Sequence, residues 1–202
     1  NAGKFLKFLP GVSVDANGVL TRRDSLAYLR GDFAGNTLLF RQLLATPTAA
    51  VLDATPMRGR FPLVLYAVGW NSLSPDNTVL AEYLASHGFV VATVPQLPSG
   101  RASAELAVTA ADLQTQQRDL DFALGYLVER IPAVDPLRIA LVGYSMGGAI
   151  QLLNSGRHAN IRGVVGLDPS YLTDRWADFA SALDEFVPWR LRVPTLMLRS
   201  GS

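Results

Sequence analysis

An α/β fold, built on a mainly parallel, doubly wound sheet with helices on both faces, is predicted by three features of this chain. Short continuous apolar runs alternate with longer segments of helical period. Glycine or proline stands at most junctions between the two kinds of segment. Of the 202 residues 49% are hydrophobic and only 17% charged, a balance that suits a large core with both sheet faces covered. Strands alternating with helices imply right-handed crossovers and hence a parallel sheet.

The elements follow in order. Residues 1–59 are mixed and punctuated by Gly and Pro, and read as an N-terminal extension packing on a core that occupies 60–202. Within the extension, Asn36 to Pro47 has the pattern of a short amphipathic helix with Asn36 as N-cap. Arg60 to Gly69, "RFPLVLYAVG", is a strand buried on both faces. Asp76 to Gly88 is a helix with Val79, Leu80, Tyr83 and Leu84 as its apolar stripe and Gly88 at its end. Phe89 to Val94 is the next strand, and a Pro/Gly/Ser-rich loop follows from Pro95. A long helix is expected over Ala104 to Glu129, with Leu120, Leu124, Leu127 and Val128 facing inward. The remaining elements are a strand at Arg138 to Gly143, a helix at Gly147 to Gly156, a strand at Gly163 to Asp168 and another within Val193 to Gly201.

Composition excludes several function classes. With no cysteine there are no disulfides, thiolate metal sites or cysteine nucleophiles. Net charge is +1 and no run of like charges occurs, so nothing points to a nucleic-acid partner. No apolar run reaches the roughly 18 residues of a membrane span, so no transmembrane segment is expected. The start, "NAGKFLKFLPG", lacks Met and lacks a signal-peptide pattern, which fits a mature secreted or periplasmic chain or an internal fragment; the first is favoured, and a cytoplasmic location stays open.

The chemistry concentrates in "RIALVGYSMGGAIQLL". A dinucleotide fingerprint would need glycine where Ser145 stands, and a phosphate-binding loop would need lysine where Ala149 stands. What remains is Gly143-Tyr144-Ser145-Met146-Gly147, a G-x-S-x-G between a strand and a helix. Small residues two before and two after the serine let strand and helix approach closely on a sharp turn. Such a turn lifts the Ser145 hydroxyl above the sheet and leaves the Met146 N–H at a helix N-terminus, where an oxyanion can bind. In a parallel sheet the ligand lies beyond the carboxyl ends of the strands. That rule picks out Gly69 to Asn71, Pro95 and Gln96, Ser145, Asp168 and the residues after Arg199; with Tyr144, which flanks the serine, the expected pocket residues are Gly69, Asn71, Tyr144 and Gln96.

Together "PLVLYAVGWNS", "LAEYLASHGFVVATV", "GYSMGGA" and "GVVGLDPS" resemble the α/β-hydrolases. The likeness is greatest to the branch holding platelet-activating-factor acetylhydrolases, dienelactone-hydrolase-like proteins and polyester-degrading cutinases, and it covers about residues 60 to 199. The resemblance implies an α/β-hydrolase fold, and a serine hydrolase that cleaves carboxylic esters through an acyl-enzyme, with no metal and no cofactor. It gives the second oxyanion donor to the Trp70 N–H, although relatives often carry His-Gly where this chain has Val68-Gly69. It makes Asp168 the acid, in the "LD" context of the acetylhydrolase-like relatives; cutinase-like relatives carry theirs after the strand that here reads "PTLMLRSGS". Asp168 followed by Pro169 also fits a helix N-cap.

The base is the difficulty. His87 and His158 are the only histidines, and both precede strands, at the sheet edge opposite Ser145. His87 suits a helix C-cap. In the family the catalytic histidine follows the last strand, so the 60–202 core is expected to lack the C-terminal strand and helix. The expected partners are a small-molecule ester or lipid-like substrate, and a remaining C-terminal segment or second chain carrying the histidine. The alternative is a non-catalytic binding or interaction module of the same fold.

Overall fold

The computed structural model describes residues 38, 49–51, 54–70, 72, 77–94, 109–170 and 191–200. Asn71, Gln96, the expected helix over Asn36 to Pro47 and most of the N-terminal extension lie outside them. Among the described residues the elements are β1 (Phe61–Ala67), α1 (Thr78–Ser86), β2 (Val90–Val94), α2 (Ala110–Arg130), β3 (Val134–Tyr144), α3 (Met146–Ser155), β4 (Ile161–Leu167) and β5 (Thr195–Leu198). No described helix is long and apolar enough to cross a membrane.

The five strands form one sheet in the order β2-β1-β3-β4-β5, and every pairing is parallel. The chain steps outward from β1 to β2, returns through α2 to β3 on the other side of β1, and continues through β4 to β5. The direction of winding therefore reverses between β1 and β3. At such a switch point two successive loops leave the sheet in opposite directions and open a crevice at the strands' carboxyl ends.

Both faces are covered over β1 to β4, while β5 is exposed along its length. On one, Leu63, Leu65, Ile139 and Leu141 meet Leu113, Leu120, Leu124 and Leu127 of α2 and Ile150 and Leu153 of α3. On the other, Val64, Tyr66, Val68, Val91 and Val142 meet Leu80, Ala81 and Leu84 of α1. The continuous apolar runs are thus strands whose alternate residues enter two different cores. The fold is that of the α/β-hydrolases.

The helix ends follow from their sequences. Thr109 caps α2: its Oγ1 accepts the Asp112 N–H at 3.2 Å and donates to Asp112 Oδ2 at 3.0 Å. This reciprocal pair starts the helix at Ala110, six residues later than the apolar pattern alone suggests. Helix α1 ends as Gly88 takes φ 87°, with Gly88 N–H bonded to the Ala85 carbonyl and Phe89 N–H to that of Leu84. His87 occupies the cap between them, its Nδ1 2.8 Å from the Tyr83 carbonyl oxygen.

Two sequence expectations are corrected. Val79 and Tyr83 were expected in the buried stripe of α1 but are 81% and 61% exposed. The inward stripe is turned by about one residue and consists of Leu80, Ala81, Leu84 and Ala85. Strand β3 also begins at Val134 rather than Arg138. Pairing with β1 shifts register between Pro62 and Leu63, so that Asp135 and Ile139 oppose adjacent β1 residues. Asp135 holds the intervening turn: its Oδ1 accepts the Leu137 N–H at 3.0 Å and its Oδ2 the Arg138 Nε–H at 2.6 Å. These donors keep the Asp135 carboxyl below its ordinary range, the Leu137 N–H contributing most.

Candidate active site

Ser145 stands at the switch point, between the end of β3 and the start of α3. Its backbone has φ 51° and ψ −120°. A residue with a Cβ is strained there, by about 1–3 kcal/mol, and the surroundings must hold it in place. They do so on both flanks. The Ser145 N–H donates to the Leu167 carbonyl at 3.0 Å, and the Ser145 carbonyl accepts from Gly148 at 3.1 Å and from Ser170 at 3.0 Å.

The glycines around it answer to space rather than to dihedral angle. A Cβ on Gly143 would come within 3.0 Å of the Gly147 and Gly148 backbone. One on Gly147 would come within 3.0 Å of the Ala67 and Val68 carbonyls at the end of β1. The first turn of α3 is therefore pressed against β1 and β3 together. Below it, Gln151 is fully buried and donates its Nε2 to the Leu65 carbonyl at 2.8 Å, joining α3 to β1.

The first turn of any helix leaves N–H groups without intrahelical partners. Here the Met146 N–H has no hydrogen-bond partner among the described residues. The same is true of the Trp70 N–H in the loop after β1. That loop turns tightly, with the Ser72 N–H donating to the Gly69 carbonyl at 3.1 Å. Since Ala67 pairs with Gly143, Gly69 and Trp70 leave the sheet beside Ser145 and Met146. Tyr144 closes the gap: a Cβ on Gly69 would meet its ring at 2.9 Å. Gly69, Trp70, Tyr144, Ser145 and Met146 are thus gathered at one place on the carboxyl edge. The Trp70 indole is partly buried and packs against the core under α2 and α3.

Asp168 follows β4 on the other side of Ser145. It has φ 46°, is exposed, and donates its N–H to the Leu198 carbonyl at 2.6 Å. That backbone differs from the extended conformation of a helix N-cap. Its Oδ2 accepts the Ser200 hydroxyl at 2.7 Å. Two hydroxyls therefore belong to this edge: Ser200, the first of the residues after Arg199 that the strand-end rule picks out, and Ser170, which the sequence reading passes over. Ser200 touches the carboxylate, and the Ser170 Oγ lies 3.3 Å from the Ser145 Oγ. The only sequence signal for Ser170 was its position two residues past a strand end.

Neither histidine comes near. His87 caps α1 ahead of β2, and His158 precedes β4 with its Nε2 2.8 Å from Asp121 Oδ1. Both lie at the amino edge, a strand's length from Ser145. Among the described residues no group of three or more His, Cys, Asp or Glu is placed to hold a metal ion.

Comparison with known proteins gives a consistent set of relatives. The model of the family described as Chlorophyllase matches residues 26–195. Cutinase 2 of Thermobifida cellulosilytica is 26% identical over 140 residues, covering 67% of this chain and 45% of that protein. Chlorophyllase-1, chloroplastic, of Citrus unshiu is 23% identical over 200 residues, covering 95% of this chain and 59% of that protein. Among solved structures, a ferulic acid esterase from Streptomyces cinnamoneus superposes with a TM-score of 0.59 at 25% identity, over 90% of this chain and 55% of that one. The chain thus spans less than two thirds of the length of each.

Proposed function

The chain belongs to the chlorophyllase family, and on that premise we propose that it is a serine hydrolase of carboxylic esters with Ser145 as nucleophile. The observation that carries the reading is the strained Ser145 turn at the switch point, with the Met146 N–H at the head of α3 and the Trp70 N–H across the crevice. The names of the relatives, cutinase, chlorophyllase and ferulic acid esterase, all belong to ester-hydrolysing enzymes.

In this mechanism the Ser145 Oγ attacks the ester carbonyl while its proton passes to a histidine supplied from outside residues 1–202. The Met146 and Trp70 N–H groups hold the oxygen that becomes negative. Such donors lower the barrier because they are fixed before the charge develops. Collapse of the tetrahedral intermediate expels the alcohol, protonated by the same histidine. Water then attacks the Ser145 ester and releases the acid. Asp168 orients the histidine and stabilises its protonated form. Gly69 and Tyr144 border the acyl site, and a secreted or periplasmic location belongs to the same proposal.

A second reading, a non-catalytic binding module, draws on one specific observation: both histidines lie on the amino edge. Hydrolysis of a short-chain nitrophenyl ester by the full-length protein separates the two. Turnover that vanishes in Ser145→Ala and falls by at least 10²-fold in Asp168→Asn is expected. No turnover by the wild-type protein would overturn the enzyme reading, turnover unchanged in Ser145→Ala would remove Ser145 as the nucleophile, and near-wild-type activity of Asp168→Asn would remove Asp168 from the mechanism.

A further inference from the structure

We propose that Ser170 is a positioning residue for the nucleophile, its hydroxyl holding the Ser145 hydroxyl on the side of the crevice from which the base must approach. The inference rests on Ser145 being the nucleophile and goes beyond it in assigning a role to a residue outside the serine, acid and oxyanion set.

Strand β3 lies between β1 and β4, so the loops after β1 and β4 flank Ser145 from opposite sides. The β1 side holds Gly69 and Trp70, whose backbone faces the oxyanion. The β4 side holds Asp168 and, two residues later, Ser170. A base bridging Ser145 and Asp168 has to enter between them. The Ser170 Oγ is on that side, 3.3 Å from the Ser145 Oγ. This is longer than a strong hydroxyl pair, so it favours one orientation of the Ser145 hydroxyl without locking it.

Ser170 is itself well anchored. Its N–H donates to the Ser145 carbonyl at 3.0 Å, and the preceding Pro169 lies where a Cβ on Gly148 would meet it at 2.8 Å. The backbone bond fixes the distance between the two residues, and the side-chain contact then sets direction. A Ser170 hydroxyl that donates to Ser145 leaves the Ser145 proton free to point at the base. Nucleophile orientation of this kind changes the rate of attack more than the affinity for substrate.

Removing the hydroxyl leaves the backbone bond intact, so the contribution can be read separately from folding. The test compares full-length wild type, Ser170→Ala, Ser170→Thr and Ser145→Ala by their bimolecular rate of labelling with a fluorophosphonate. Steady-state kinetics on a nitrophenyl ester and thermal midpoints accompany it. Ser170→Ala is expected to label about three- to tenfold more slowly, the effect of one neutral hydrogen bond. Its kcat should fall by a similar factor with KM and melting temperature unchanged, and Ser170→Thr should return labelling to within about twofold of wild type. Wild-type labelling rates in Ser170→Ala, or a change confined to KM, would overturn the positioning role while leaving Ser145 as nucleophile. Absence of labelling in the wild type would overturn both.

Discussion

Replacing Gly147 by alanine adds one methyl group at the tightest point of the elbow. The added Cβ would lie under 3.0 Å from the Ala67 and Val68 carbonyls, which are backbone atoms and have no rotamer with which to retreat. Ordinary contact is restored only if the head of α3 withdraws by roughly 1 Å. Overpacking of this kind costs about 1–3 kcal/mol, and backbone neighbours place it at the upper end. At about 3 kcal/mol the melting temperature should fall by roughly 6–12 °C for a chain of this size. The same withdrawal moves the Ser145 hydroxyl and the Met146 N–H away from Trp70. A misplacement near 1 Å lowers the rate of attack by about 10²-fold.

Gly125 supplies the control, because it is exposed on α2 and a Cβ there meets nothing within 4 Å. Gly125→Ala should therefore stabilise by about 0.5–1 kcal/mol through helix propensity. Urea denaturation with fluorophosphonate labelling of both variants decides the matter. If Gly147→Ala keeps wild-type stability and labelling, close approach of α3 to β1 does not constrain the elbow and the steric reasoning fails.

Three further outcomes follow from the same structure. Ser145→Gly removes the Cβ from the φ 51° backbone, so it should abolish labelling yet raise stability by about 1 kcal/mol in urea, strain relief outweighing the entropy of glycine; a destabilised variant would show that the backbone is not strained. Gln151→Met keeps the volume but leaves the buried Leu65 carbonyl without its 2.8 Å donor, and a loss of about 1–3 kcal/mol is expected by denaturation, against no loss if the joint is dispensable. Asp119 on α2 has its carboxyl pushed above the ordinary 3.8 by burial. A raised value means that its favourable contribution is complete below the unfolded value and is lost as pH rises through the folded one. Asp119→Asn should therefore be more stable than wild type at pH 7 and lose that advantage at acid pH; an advantage that is constant with pH would contradict the assignment.

Much of the scaffold was legible because its signals are local. An apolar run such as Pro62 to Val68 can be satisfied only where both faces are covered, and a glycine pair bracketing Ser145 reports on the room available at that turn. The same locality explains the misses. The turn at Asp135 to Arg138 interrupts an apolar alternation, so periodicity could not join Val134 to Ile139 as one strand. Val79 and Tyr83 have the right spacing for a stripe, yet which stripe faces the sheet is decided by how α1 packs on Val64, Tyr66 and Val91, and spacing alone does not carry that. The contacts of Ser170 with Ser145 and of Ser200 with Asp168 join segments far apart in sequence, and neither residue type nor spacing announces such pairs. The buried Gln151 did leave a trace, one polar residue amid "GGAIQLLNS", whose partner on β1 only the folded sheet supplies.

The central claim is that Ser145 carries the acyl group during ester cleavage. The most direct measurement is to quench the full-length protein during turnover of a nitrophenyl ester and map the acylated peptide by tandem mass spectrometry. The account predicts one acyl group, on the peptide containing Gly143 to Gly147 and assigned to Ser145, and none in Ser145→Ala. Acylation at another residue, or turnover without any covalent acyl-enzyme when deacylation is the slow step, would contradict it.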